Sequence, residues 1–245
     1  MAMAEEDKVA LKIHDVAGAL LDDWRMLFDQ LVARFKTGDF DTGARLVAEI
    51  AKAADKENHH PDVDLRYGYV EVRLSSHDVG AVTQRDVRLA RTITDLAGSL
   101  GAKPDTLSVQ TVEWALDTWD ASEIKPFWAA VLGLEPDDDD TPGHEATDAG
   151  GRWPSVWFQE SERNQAGPQR WHADVRVPPD VAQARVRRAV DAGGTLVNDG
   201  YAPRFWVLAD AQGNRACITT GLGRDQPDDP HAEYPETDGQ DDHDA

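Results

Sequence analysis

The sequence predicts an α+β protein built in two units, and three observations carry that expectation. In the first hundred residues, two amphipathic helical patterns flank a run with strict strand alternation. A short segment, "AKPDT" at 102–106, then breaks the apolar periodicity in the manner of a linker. Beyond it the order strand, helix, strands occurs twice, an internal repeat of roughly 50 to 60 residues. The boundaries expected from this are 1–103 for the first unit, 107–223 for the second and 224–245 for an acidic, disordered tail.

Residues 15–35 read as a short apolar helix followed by a second amphipathic pattern. "GDFDTGARLVAEIAKAADK" places Ala44, Val47, Ile50, Ala51 and Ala54 three and four apart, which predicts a helix with one buried face. "LRYGYVEVRL" alternates, with Val70, Val72 and Leu74 on one face and Tyr67, Tyr69, Glu71 and Arg73 on the other. "TQRDVRLARTITDLAGSLG" is a second amphipathic helix with Val87, Ala90, Ile93, Ala97 and Leu100 in register. Thr83 and Asp86 form a capping pair at its start, and Gly101 closes it. In the second unit, "LSVQTVEWALDT" and "SVWFQES" read as strands around the helix "ASEIKPFWAAVLGL" and an acidic loop. "RWHADVRVP" then repeats the first strand, "DVAQARVRRAVDAGGTL" the helix, and "RFWVLADAQGNRACIT" two strands around a turn at Gly213.

The 245 residues, 40% of them hydrophobic and eight of them tryptophan, suffice for two real cores. A net charge of −21 argues against nucleic acid and anionic membrane surfaces as partners. No apolar run reaches bilayer length, the acidic N-terminus lacks a signal region, and the single Cys217 permits no internal disulfide. These features together point to a cytoplasmic protein.

Three of the eight histidines crowd into residues 53–78: His59 and His60 before a proline, and His77 past the alternating strand. Adjacent histidines on an extended segment diverge, and nothing nearby completes a zinc spacing. A structural reading has one of them capping the preceding helix and another merely exposed. The third reading is acid/base work, since imidazoles near their pKa give and take protons within one turnover.

This stretch resembles the signature of the pterin-4a-carbinolamine dehydratases. Asp55 leads, "HHP" follows after three positions, "DVDLR" precedes Tyr67, nine residues separate Tyr67 from His77, and eight more precede Asp86. Asn58 stands where some relatives carry aspartate. Upstream, "LLDDWRMLFDQLVARFKTGDF" is similar to the family's tryptophan-bearing segment and makes Trp24 the candidate active-site tryptophan. The resemblance, over roughly residues 10–102, implies an antiparallel sheet backed by two long helices and assembly into dimers or tetramers. It implies dehydration of 4a-hydroxytetrahydrobiopterin to quinonoid dihydropterin without a metal or organic cofactor. His59, His60 and His77 would be the catalytic groups, and Trp24, Asp55, Tyr67 and Asp86 would bind or orient the substrate.

Residues 107–222 resemble the vicinal oxygen chelate superfamily, which includes glyoxalase I, through "IKPFWAAVLGL", "SVWFQE" and "LADAQGNRACI". The resemblance implies paired βαβββ modules. It aligns Glu113, Gln159, His172 and Cys217 with the ligand positions of metal-dependent members, a set that departs from the usual His/Glu ligands. Without metal, Glu113 and His172 with Trp114, Trp157, Trp171 and Trp206 line an apolar cleft or plain core. Two alternatives to the dehydratase reading follow. One is a non-catalytic pterin-binding or regulatory dimerisation protein, and the other is metal-dependent lyase, isomerase or dioxygenase chemistry in the second unit.

Overall fold

A computed structural model describes residues 5–132, 134–136, 145–148, 150–161, 171–209 and 215–224. The "DDDD" segment, the turn at Gly213 and the acidic tail beyond Arg224 lie outside the described residues. After a 3-10 turn and a short helix α1 (Ile13–Gly18), the first unit runs β1 (Arg25–Leu27), β2 (Gln30–Lys36), α2 (Phe40–Glu57), β3 (Asp62–Arg66), β4 (Tyr69–Leu74) and α3 (Gln84–Ser99). The strands form an antiparallel sheet in the order β1-β2-β4-β3.

The sheet's inner face follows from the two-residue period. Leu31, Ala33 and Phe35 on β2 stand opposite Leu74, Val72 and Val70 on β4, and all six are buried with α2 and α3 against them. On the outer face Arg34 and Arg73 both reach Glu71, at 2.6 Å each. Three sequence expectations are corrected here. The second amphipathic pattern in 15–35 is a hairpin, because Leu31, Ala33 and Phe35 alternate and the turn residue Phe28 takes a left-handed φ of 52°. The run from Leu65 to Leu74 is two strands, β3 and β4, joined by a turn at Tyr67 and Gly68, the latter at φ 85°. "AKPDT" is no free linker: β5 (Lys103–Pro104) pairs with Phe35 and Lys36 of β2.

Helix α2 is rotated from the expected face. Gly43, Leu46, Ile50 and Ala54 are buried, whereas Ala44 and Ala51 are exposed. The cause is close approach, since a Cβ at Gly43 would lie 2.6 Å from Leu65 Cδ1. Ile50 is 1% exposed in this core, so Ile50→Val is expected to cost about 1 kcal/mol in urea unfolding.

The second unit contains β6 (Thr111–Thr118), α4 (Ala121–Leu132), β7 (Glu135–Pro136), β8 (Glu145–Thr147) and β9 (Val156–Glu160), then β10 (Trp171–Arg176), α5 (Pro179–Asp191), β11 (Thr195–Asn198), β12 (Phe205–Ala209) and β13 (Arg215–Thr219). The order β11-β12-β13-β10-β6-β9-β8-β7 is two βαβββ modules joined edge to edge by the antiparallel pair β6 and β10. Within each module the first and last strands are parallel, β6 with β9 and β10 with β13. Helix α5 packs Val181, Ala182 and Val186 against Trp206, Leu208 and Ile218, while α4 lies over Leu116 and Phe158. Trp206 is therefore core.

The β1–β2 hairpin of the first unit rests on the second sheet. Leu27 and Val32 enclose Val109, Arg25 pairs with Asp180 at 2.7 Å, and the Arg176 guanidinium stacks 4.3 Å from the Phe28 ring centre. Among the described residues no helix is long and apolar enough to cross a membrane.

Candidate active site and a second polar face

The histidine cluster is built on the end of α2, the end of β4 and the start of α3. Helix α2 stops at Asn58, whose left-handed φ of 49° turns the chain so that His59 N–H bonds back to the Ala54 carbonyl. His59 is thereby directed inward and is 7% exposed. There its Nε2 meets Asp86 Oδ1 at 2.7 Å.

Asp86 is the centre of this arrangement. It is the N3 residue of the capping box that starts α3, and its Oδ2 accepts from Thr83 N–H at 2.7 Å. The same oxygen accepts from Ser76 Oγ at 2.7 Å. A bridge between Ser76 and Ala81 closes the loop that brings Ser76 to this point. Burial works to raise the Asp86 pKa, but the hydrogen bonds from His59, Thr83 and Ser76 outweigh it and hold the carboxyl below its ordinary 3.8. An ionised carboxylate only accepts, so the His59 proton sits on Nε2, and in the neutral ring Nδ1 keeps its lone pair.

The other histidines are at the surface. His60 is exposed and bonds through Nε2 to Asp55 at 3.1 Å, a contact that links the pair's second member to the last turn of α2. His77 is exposed and directly follows Ser76, one residue from the buried network. Next to it Asp78 binds Arg85 at 2.5 Å, and that bond holds its carboxyl below the usual range. Tyr67 is 80% exposed on the β3–β4 turn. Trp24 is 3% exposed, stands edge-on to Phe35 and donates from Nε1 to Thr94 at 3.0 Å, so its ring is part of the core and not an open wall. Ser76 and Thr83 are the members of the network that sequence reasoning did not single out as site residues. The signal for Ser76 was its place beside His77, and for Thr83 its capping pattern.

The second unit presents its own polar face, formed by alternate residues of four neighbouring strands. Glu113 on β6 is opposite Asp174 on β10, which is opposite Cys217 on β13. Asp117 on β6 is opposite Gln159 on β9. Among the described residues, His172, Asp174 and Cys217 bring their donor atoms within 4.8 Å of one another. Glu113, on the neighbouring strand β6, is not part of that cluster. Asp174, two residues after His172 on the same face, was not read from the sequence.

This face is electrostatically tense. Burial, then Glu145 and Asp174, push the Glu113 carboxyl up to about 7, against the bond from Ser155 Oγ at 3.0 Å. Burial also lowers Arg176 to about 10 and raises the Cys217 thiol, the latter reinforced by Asp174. His172 is raised because Asp174 and Asp117 outweigh the opposing effect of its burial.

A helix-backed antiparallel sheet with a buried histidine–aspartate pair at its edge, joined to paired βαβββ modules, defines a two-domain α+β protein. The pterin 4 alpha carbinolamine dehydratase model matches residues 9–96, and a glyoxalase-like domain model matches residues 113–219. A relative from Nocardia farcinica, provisionally named a pterin-4-alpha-carbinolamine dehydratase, is 34% identical over 95 residues, which is 39% of this chain and 95% of the relative. One from Metallosphaera sedula with the same provisional name is 38% identical over 88 residues, 35% of this chain and 92% of the relative. A solved transcriptional coactivator/pterin dehydratase from Brucella melitensis is 32% identical, covering 37% of this chain and all of that one, with a TM-score of 0.35. The chain belongs to the pterin-4a-carbinolamine dehydratase family and carries a glyoxalase-like domain.

Proposed function

We propose that the first domain dehydrates a 4a-hydroxytetrahydropterin, with 4a-hydroxytetrahydrobiopterin as the type substrate, to the quinonoid dihydropterin and water. The observation that carries the reading is the buried His59–Asp86 pair with two exposed histidines around it. Elimination requires one group to take the N5 proton and another to protonate the departing 4a-hydroxyl. His59, anchored through Nε2, keeps Nδ1 as a proton acceptor, and His60 and His77 supply the exposed exchangeable protons. Asp55 acts on His60 as Asp86 acts on His59, by orienting the ring. None of these steps calls for a metal or an organic cofactor.

The test is stopped-flow dehydration of freshly generated 4a-hydroxytetrahydropterin by the full chain, beside His60→Ala and His77→Ala. The expected result is a rate well above buffer that falls about 100-fold in each variant. A full-chain rate equal to buffer would sink the assignment.

A further inference from the structure

We propose that the second domain completes the rim of the dehydratase cleft, with Trp153 as the aromatic flank on which a pterin ring stacks. The inference rests on the dehydratase reading for its ligand, and a binding readout separate from turnover tells the two apart.

The docking of the two domains carries it. Arg25, Val32, Arg73 and Asp62 are successive register partners across β1, β2, β4 and β3, one row of the first sheet's outer face. Three members of that row meet the second domain. Arg25 pairs with Asp180 at 2.7 Å, and Val32 encloses Val109 together with Leu27. Gly151 approaches Asp62 so closely that a Cβ on it would stand 4.0 Å from Oδ2. Contacts from three separate segments thus seat the second domain on this row. The row is at the histidine end of the sheet: Asp62 opens β3 two residues after His60, and Arg73 on β4 stands four residues before His77. The turn at 150–153 therefore arrives where His60 and His77 are exposed.

That turn is held in shape. The Asp148 carboxylate accepts from the backbone N–H groups of Gly150, Arg152 and Trp153 at 3.2, 2.8 and 3.3 Å. Gly151 N–H donates to the Asp148 carbonyl at 2.8 Å. Trp153 itself is 66% exposed. A large flat side chain on an ordered turn loses little further freedom when a ligand settles on it.

A planar heterocycle calls for such a partner, and none of the first domain's six aromatics stands open at the histidine end. Trp24 and Phe35 are in the core. Phe28 lies against the Arg176 guanidinium, and Tyr69 against that of Arg34. Phe40 begins α2, whose other end leads to His59. Tyr67 is on the β3–β4 turn, at the opposite end of the sheet from Asp62.

The test compares the full chain with Trp153→Ala and Trp153→Phe in stopped-flow dehydration. Trp153→Ala is expected to raise KM about 10-fold and to leave kcat within about twofold, because ground state and transition state lose the same contact. Trp153→Phe should recover most of the loss. Equilibrium dialysis of oxidised biopterin, which has no hydroxyl to eliminate, should show the same weakening in Trp153→Ala. An active full chain whose KM and biopterin affinity are unmoved by Trp153→Ala overturns the flank and spares the dehydratase reading. A full chain at the buffer rate sinks that reading. In that event biopterin affinity that falls with Trp153 upholds the flank, and affinity that is unchanged or absent overturns it.

Discussion

Asp86→Ala is expected to lower global stability by about 3 kcal/mol or more, because it leaves three buried donors without an acceptor at roughly 1–3 kcal/mol each. Asp86 is fully buried and takes bonds from His59, Ser76 and Thr83. Removing it strips three donors at once and unpicks the first turn of α3. Asp86→Asn separates charge from shape, since it keeps one oxygen to accept and loses the anion, so its cost should be smaller. Chemical unfolding at pH 7 checks both. The effect carries a pH signature. Because the folded-state pKa lies below 3.8, the stabilisation is complete above that value and is lost as pH falls through the lower folded pKa. Asp86→Ala should therefore be least distinguishable from the parent in strong acid. A parent and variant that differ by less than 1 kcal/mol at pH 7 would show that the pair contributes little.

Glu113→Gln is expected to act in the opposite direction. Burial raises Glu113 to about 7 from 4.5, so the folded chain holds a proton that the unfolded chain has released. Between these two values stability falls as pH rises, and at pH 8 ionised Glu113 costs roughly 3 kcal/mol at 1.36 kcal/mol per unit. Glutamine keeps an acceptor for Ser155 Oγ and carries no charge. The variant should thus be the more stable chain at pH 8 and should match the parent near pH 4. Parallel pH profiles for the two chains would refute this.

How legible these features were depended on the range of the signal. His59 and Asp86 were readable because their spacing matches the dehydratase signature that this stretch resembles, and Asp86 also because it stands three residues after Thr83 at a helix start. The inner face of the first sheet was readable in Val70, Val72 and Leu74 because period-2 alternation is local. The β1–β2 hairpin was hidden because its reversal depends on Phe28 in a left-handed conformation, a task seldom given to an aromatic. The rotation of α2 was hidden because it follows from contact between Gly43 and Leu65, which only the folded chain brings together. β7 and β8, of two and three residues, are too short to carry any period. Trp24 looked like a site residue by position, but its burial is decided by Phe35 and Thr94 on other elements. Asp174 needed the sheet register, which aligns it with Cys217 across a strand pair 43 positions apart in the chain.

The segment connecting the domains has a practical consequence for dissecting the protein. Lys103 and Pro104 complete an edge of the first sheet, Asp105 N–H donates to Arg34 O at 2.7 Å, and Asp105 pairs with Lys36 at 3.0 Å. Val109 closes against Leu27 and Val32. Scissors placed at residue 103 would therefore cut through a seam and leave a frayed sheet edge and an uncovered apolar spot. A fragment carried on through Val109 keeps both closed, and it is the piece with which the dehydratase half should be studied alone.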